Sequence, residues 1–468
     1  MYFGQEKQIS LYDFGQRSGL ELDPENRWVK MARMINWDEI EEKHKGIYCE
    51  DNGAPAKPIR LAIGSLIIKQ IEGLTDEKLV LHIQENPYMQ YFCGLNGYSK
   101  ELPFVPSLLV EFRKRFDDYV FWDINESTFR TNISEKAGAP ESEDEEELPN
   151  SGTLILDLTC APANIKFPQD INLLNEAREK SEEIVEAMHE GNKGAKEKPR
   201  LDKKKAKGEY SKVAKSKKKS GKVLRRAIKK QLTYLLRNLN YIDKLKTDGH
   251  YDLLTDKQKE YLETITKLYV QQKYMFDNRV NRVDDRIVSI HQPFVRPIVR
   301  GKAAAKTEFG AAVAVSVVNG YVFVDNISWD AYNESGDLIP SVEYYRDVYG
   351  YYPEAVIVDK KYRTRENIDF CISKGIRISG PRLGRPGKDT AESDREQAYK
   401  DSGVRNTVEG KFGIGKIAYG LNRIMARLQD TSETVIRLAF LAMNLVRMLF
   451  TIITFFTFRW LGFYKLAF

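Results

Sequence analysis

Three acidic residues, far apart in sequence, stand where a carboxylate has work to do. Asp157 lies inside the apolar stretch LILDLT, and Asp359 closes another, AVIVD. A charge in an apolar strand is costly to desolvate unless a cation or hydrogen-bond donors compensate it. The plainer alternative is that each Asp caps a strand end, or pairs with a neighbour such as Lys360 or Lys361. The third residue is Glu409 in SGVRNTVEGKFGIGKIAYGL, where Arg405, Glu409, Phe412 and Lys416 follow one another at four, three and four residues. At helical pitch these four share a face. Gly410, Gly413 and Gly415 each cost an ordinary helix about 1 kcal/mol relative to alanine, which suggests close approach of a backbone or a ligand. An exposed, salt-bridged helix face is the alternative. If the three carboxylates meet, their chemistry is that of two clamped divalent cations acting on a phosphodiester, activating water or a 3′-hydroxyl and stabilising the leaving oxygen. Hard oxygen ligands select magnesium, with manganese as a substitute, and Arg405 and Lys416 would hold DNA phosphates beside the metals.

The elements that must position these residues can be read from the pattern. TLILDLTCA is a buried strand. GAAVAVSVV and YVFVDNISW flank Asn319-Gly320, a dipeptide suited to a tight hairpin. A helix over 340–349, the strand EAVIVD (354–359), a helix near 364–374, a short strand GIRIS and a helical stretch from about 402 to 450 follow. This order is that of an α/β, ribonuclease H-like mixed sheet with helices, residues 151–450, carrying a long helical basic insertion at about 175–295 after its first strand. Upstream, residues 1–138 form an all-α N-terminal domain read as DNA-binding. Within it PIRLAIGSLIIKQIE stops at Gly73, Thr75 caps a second helix from Asp76 to about Gln84, and Asn86-Pro87 ends it. The pair is either a DNA-reading helix-turn-helix or a packing unit. The acidic, proline-flanked segment 139–150 is a linker, and 451–468 an apolar C-terminal tail.

A chain of 468 residues is long enough for two or three structural units. The net charge of +6 hides an asymmetry: residues 193–230 hold 18 Lys or Arg against Glu197, Asp202 and Glu209, so that block is +15 and the remainder −9. Clustered cations gain from releasing counterions of a polyanion, which points to nucleic acid, with a solvated linker as the alternative. Lys203, Lys204, Lys205, Lys217, Lys218, Lys219, Arg225 and Arg226 are the candidate DNA contacts. The four cysteines have no zinc or disulfide spacing, the five histidines no metal spacing, and no glycine loop cradles a nucleotide. No export signal is recognised at the N-terminus, and a reducing cytoplasm fits best. The apolar run from Met448 to Phe458, 11 residues, is too short to span a bilayer, so no membrane is expected.

In combination these motifs resemble the DDE transposases of bacterial insertion sequences, in the group with a Tyr-x2-Arg-x3-Glu-x6-Lys signature. Arg405, Glu409 and Lys416 match that spacing, while Ser402 stands at the Tyr position. LDLTCAPANIKFPQDINLLNEAR, RGKAAAKTEFG and VIVDKKYRTREN are further similar stretches, with Gln169 where Thr is usual. PIRLAIGSLIIKQIEGLTDEKLVLHIQENPYMQYFCGL resembles the N-terminal domain that accompanies such a catalytic domain. The resemblance implies that Asp157, Asp359 and Glu409 are the catalytic, metal-holding triad and that Lys416 contacts the transposon end. It also implies a ribonuclease H-like fold, terminal inverted repeats and target DNA as double-stranded partners, a synaptic homodimer or higher assembly, and a nucleoid-associated location. A catalytically inactive or domesticated DNA-binding relative is the alternative reading.

Overall fold

The computed structural model describes residues 10–19, 21–48, 56–130, 149–190, 199–216, 220–299, 307–330, 332–381 and 391–460. Lys217, Lys218 and Lys219, and nearly all of the acidic segment 139–150, lie outside the described residues. The protein is mixed α/β, with about 62% of the described residues helical. It divides into two compact units: residues 1–161, 312–327 and 333–468 form the larger, and 162–311 with 328–332 the smaller.

The larger unit begins with helices α1 (Leu11–Ser18), α2 (Arg27–Met34), α3 (Trp37–His44), α4 (Ile59–Glu72), α5 (Asp76–Glu85), α6 (Pro87–Phe92), α7 (Leu108–Arg115) and α8 (Asp118–Asn125). Their ends follow from local chemistry. Helix α4 stops at Gly73, whose φ of 63° suits a residue without Cβ. The Thr75 hydroxyl accepts from the Lys78 amide to start α5, and Asn86 accepts from the amides of Tyr88 and Met89 to start α6 at Pro87. After α8 a π-helical turn, Glu126–Arg130, closes the run.

The chain then enters β1 (Thr153–Pro162) and passes through the smaller unit, which holds α9 (Asp170–Glu190), α10 (Lys203–Ala214), α11 (Gly221–Thr247) and α12 (Asp256–Asn278). Their apolar faces meet in a core that includes Leu174, Val185, Leu235, Ile242, Ile265 and Leu268. Strand β2 (Arg296–Val299) pairs antiparallel with the start of β3 (Thr307–Val318), Arg296 opposite Gly310.

Back in the larger unit, β3 turns into β4 (Tyr321–Ser328) through Asn319 at φ 51° and Gly320 at φ 79°, the two positive angles of a type I′ hairpin. Helix α13 (Leu338–Tyr349), β5 (Ala355–Ile357), α14 (Arg365–Ser373), β6 (Arg377–Ile378), α15 (Ala391–Ala418) and α16 (Gln429–Trp460) complete it. Within this unit the strand order is β4-β3-β1-β5-β6. Strand β1 runs parallel to β5, with Thr153, Leu154 and Ile155 opposite Ala355, Val356 and Ile357, and β5 runs parallel to β6. Leu154, Leu156, Phe323, Val356 and Val358 share one core with the N-terminal helices and with Leu441 and Leu445 of α16.

Helix α16 corrects one expectation. The apolar run at its end belongs to a longer stretch: Gln429–Thr451 is long and apolar enough to cross a membrane, with a mean hydropathy of 1.5. Length alone therefore does not exclude a span. Of the most apolar part 61% is buried inside the protein, and the polar groups of the helix are spent on neighbours, as in a core helix. Arg437 donates to Asp118 (2.7 Å) and to the Val324 carbonyl (2.8 Å), and Asn444 donates to Asn125 and to the Val322 carbonyl.

Candidate active site

Continuing the β1–β5 register by two residues sets Asp157 level with Asp359. Beyond Ile357 the backbone is held on its other side, where the Ser379 hydroxyl accepts from the Val358 amide and donates to the Val358 carbonyl, while the Ser379 amide donates to the Val356 carbonyl. Side chains alternate along a strand. With Leu154, Leu156, Val356 and Val358 turned into the core, Ile155, Asp157, Ile357 and Asp359 occupy the other face. Neighbouring strands lie about 4.8 Å apart, so the two carboxylates belong to one locus. They also share a local conformation. The Leu158 amide donates to Asp157 Oδ1 at 2.8 Å, and the Lys360 amide to Asp359 Oδ1 at 2.6 Å.

Their environments differ. Asp157 is 9% exposed; Asp359 lies at the mouth of the sheet, its side chain 36% exposed, where it caps the turn Lys360–Tyr362. Of the expected alternative partners, Lys361 pairs instead with Glu334 at 2.9 Å. The cation on Asp359 is Arg405, Nη1 to Oδ1 at 3.3 Å.

Helix α15 is fastened across these strand ends. Asp401 accepts from Arg377 of β6 at 2.7 Å and from Gln397 at 2.9 Å. Four residues on, Arg405 reaches Asp359 beyond β5. Four more bring Glu409, which is exposed. Val408 and Phe412 are buried and give the helix its packing face. The glycines divide: a Cβ on Gly415 would meet Leu421 at 2.8 Å, so this glycine admits a neighbour, whereas one on Gly410 or Gly413 meets no described atom within 4 Å. Lys416 is half-buried near the helix end. Among the described residues no three His, Cys, Asp or Glu side chains are drawn up as a metal site. The locus nevertheless has the donor chemistry a hard divalent cation needs: two carboxylates at one level and on one face, each oriented by a backbone amide, with a third one turn beyond the Arg405 contact.

Sequence reasoning passed over Asp325, although YVFVD carries the same signal as LILD, a carboxylate in an apolar strand. Asp325 accepts from the Ser316 hydroxyl at 2.8 Å, and burial pushes its carboxyl up to about 7 against the opposing Arg130 charge. Arg130 lies between the rings of Phe323 (3.8 Å) and Tyr344 (4.9 Å) and pairs with Glu126 at 2.5 Å. The buried Tyr362 hydroxyl is pushed up by burial first and then by the acids Glu334, Asp337, Asp157 and Asp325.

In the smaller unit the basic residues split into two kinds. Lys203 pairs with Glu186 at 2.6 Å, and Arg225 stacks on Phe276 at 4.0 Å and donates to its carbonyl. These two are committed to holding the helices together. Lys204, Lys205 and Arg226 are exposed.

Residues 356–446 match the family model described as a transposase DDE domain, and residues 18–115 the one described as a transposase domain. The first match contains Asp359, Arg405, Glu409 and Lys416; Asp157 precedes it. An uncharacterized protein, ORF8 in the nfe locus of Rhizobium meliloti, is 28% identical over 160 residues, covering 34% of this chain and 73% of that protein. No solved structure matches. The chain thus matches a transposase domain in its N-terminal helices and a DDE transposase domain running from β5 into α16, which is consistent with a DDE transposase of insertion sequences, an enzyme acting on DNA.

Proposed function

We propose that this transposase cleaves the ends of its element and joins the freed 3′-hydroxyl to target DNA, using Asp157, Asp359 and Glu409. The observation that supports the reading most directly is the parallel β1–β5 register, whose continuation by two residues brings positions 157 and 359 to one level. The strand order β4-β3-β1-β5-β6, with a hairpin preceding the central strand's parallel partner, supports a ribonuclease H-like sheet. Helix α15 supports the third member. Asp401 answers to β6 and Arg405 to Asp359, so successive steps of four residues, about 6 Å each, walk the helix face across strands about 4.8 Å apart. The next step, Glu409, falls toward β1 and Asp157. Magnesium ions held there, or manganese in their place, would activate the attacking water or hydroxyl and stabilise the leaving oxygen.

The chain's own groups supply the rest. The Leu158 and Lys360 amides orient the carboxylates, and Arg405 and Lys416 on the same helix present cations to the phosphodiester backbone. Exposed Lys204, Lys205 and Arg226 hold duplex DNA without reading its bases. The partners are the terminal inverted repeats and the target duplex, brought together by a homodimer or higher assembly in the cytoplasm, on the nucleoid and away from membranes. Asp157→Ala, Asp359→Ala and Glu409→Ala each abolish magnesium-dependent cleavage of a duplex carrying the element's end while DNA binding persists. Cleavage retained by any of the three overturns that residue's assignment, and cleavage absent from the parent chain with binding intact favours an inactive DNA-binding relative.

A further inference from the structure

The guanidinium of Arg405 is only partly satisfied where it lies. Among the described residues its one ion-pair contact is Nη1 to Asp359 Oδ1 at 3.3 Å, and its Nε is buried without a hydrogen-bond partner there. This is a loose, one-point contact, where an Arg–carboxylate pair normally uses two parallel bonds. The position itself is firm. Arg377 and Gln397 fix Asp401 one turn before, and Val408 is buried one turn after. So α15 holds Arg405 over Asp359 while leaving the guanidinium's remaining donors for something else. Both contacts to Asp359, from Arg405 and from the Lys360 amide, fall on Oδ1.

We propose that Arg405 is an exchange cation: it neutralises Asp359 in the resting protein and moves to a DNA phosphate when the site is loaded, so that one guanidinium couples cation binding to DNA binding. The inference rests on the proposed role of the carboxylates. Asp359 beside Asp157 concentrates negative charge on one sheet face, and Arg405 offsets it before any other cation arrives. A divalent cation on Asp359 must displace or share the carboxylate with Arg405. A phosphate offers the fork two acceptors, a better geometric match than the present single contact. The two occupancies of Asp359 therefore compete, and phosphate capture of Arg405 relieves the competition. Linkage makes the effect reciprocal.

The test is by binding, on the full chain. Without DNA, Mn2+ affinity is read from the free-ion electron paramagnetic resonance signal. Arg405→Ala and Arg405→Gln tighten Mn2+ by about two- to fivefold, the range an ion pair one-third exposed supports. Lys400→Ala, which removes the same charge from the same helix where it pairs with Glu396, leaves it unchanged. Equal tightening in all three means general electrostatics and overturns the exchange. In the second arm, with chelator present, affinity for a fluorescent duplex is measured. Asp359→Asn strengthens DNA binding in the parent chain but not in an Arg405→Ala background. The same gain in both backgrounds overturns the proposal. The two readings fail separately. Mn2+ binding that survives Asp157→Ala and Asp359→Ala refutes the carboxylate site, whereas loss there without tightening by Arg405→Ala refutes only the exchange.

Discussion

Arg178 in the smaller unit is 1% exposed and meets Glu182 at 2.5 Å, Asn175 at 2.9 Å and Gln231 at 3.2 Å, whereas Asp359 in the larger unit meets Arg405 through a single contact of 3.3 Å at the exposed edge of the sheet. Both regions place charge against apolar surface, yet the first answers it from within. Glu182 is one turn from Arg178 on the same helix, and Gln231 comes from the adjacent α11. Helical spacing alone delivers the counter-ion. In the sheet, the β1–β5 register leads toward positions 157 and 359, and the cation on Asp359 comes from 405. Charge that serves packing is neutralised locally; a pair assembled over long sequence distance through one loose contact can exchange its partner for a ligand. Arg130, with Glu126 four residues before it and Asp325 from β4, belongs to the first kind although it lies in the larger unit.

This contrast can be broken in four places. The largest effect falls on the sheet pair: Asp157→Asn or Asp359→Asn lowers the cleavage rate by about a thousandfold or more, roughly 4 kcal/mol of activation free energy, with the thermal midpoint nearly unchanged. A midpoint that falls sharply would make these carboxylates structural. Next, Arg178→Ala strands Glu182 and destabilises the protein by about 3–5 kcal/mol in urea unfolding, whereas exchanging both partners for apolar residues of similar volume costs far less. Equal costs would show that the pair is not a closed unit.

The third test uses pH. Burial raises the Asp325 carboxyl to about 7, so the folded protein holds a proton that the unfolded chain releases near pH 4. The contribution is fully present below about pH 4 and is lost as pH rises through about 7. Asp325→Asn therefore flattens the fall in urea midpoint between about pH 5 and pH 8; an unaltered slope refutes the buried proton. The smallest effect falls on the surface of α11. Replacing exposed Lys222, Arg226 and Lys229 with Gln reduces the salt dependence of duplex binding by about 0.9 for each phosphate no longer neutralised, while Lys203→Gln, already paired with Glu186, has less effect on that slope. A larger effect from Lys203 would reverse the division between holding and binding cations.

Much of this was legible beforehand where the determinants are local. Gly73, Thr75, Asn86-Pro87 and Asn319-Gly320 set helix ends and the hairpin through φ preference and side-chain capping, interactions that span two or three residues. The strand holding Asp157 and the one leading to Asp359 announced themselves by apolar runs, and the face of α15 by four-residue spacing. At α16 the sequence reading measured only the run Met448–Phe458, whereas the longer apolar stretch Gln429–Thr451 includes Arg437, whose charge is answered by Asp118 from more than 300 residues away. It missed Asp325 for the related reason that its neighbour Arg130 lies on a different element.

By itself, then, the sequence determined which residues could do chemistry and on which elements they ride, because periodicity and capping are properties of short stretches. The tertiary structure decided which of them meet. The β1–β5 register leads toward positions 157 and 359, the Asp401 anchor aimed Arg405 at Asp359, and Glu186 and Phe276 withdrew Lys203 and Arg225 into packing. Pairing across the sheet and between helices depends on how whole apolar faces fit together, which no short window of residues contains.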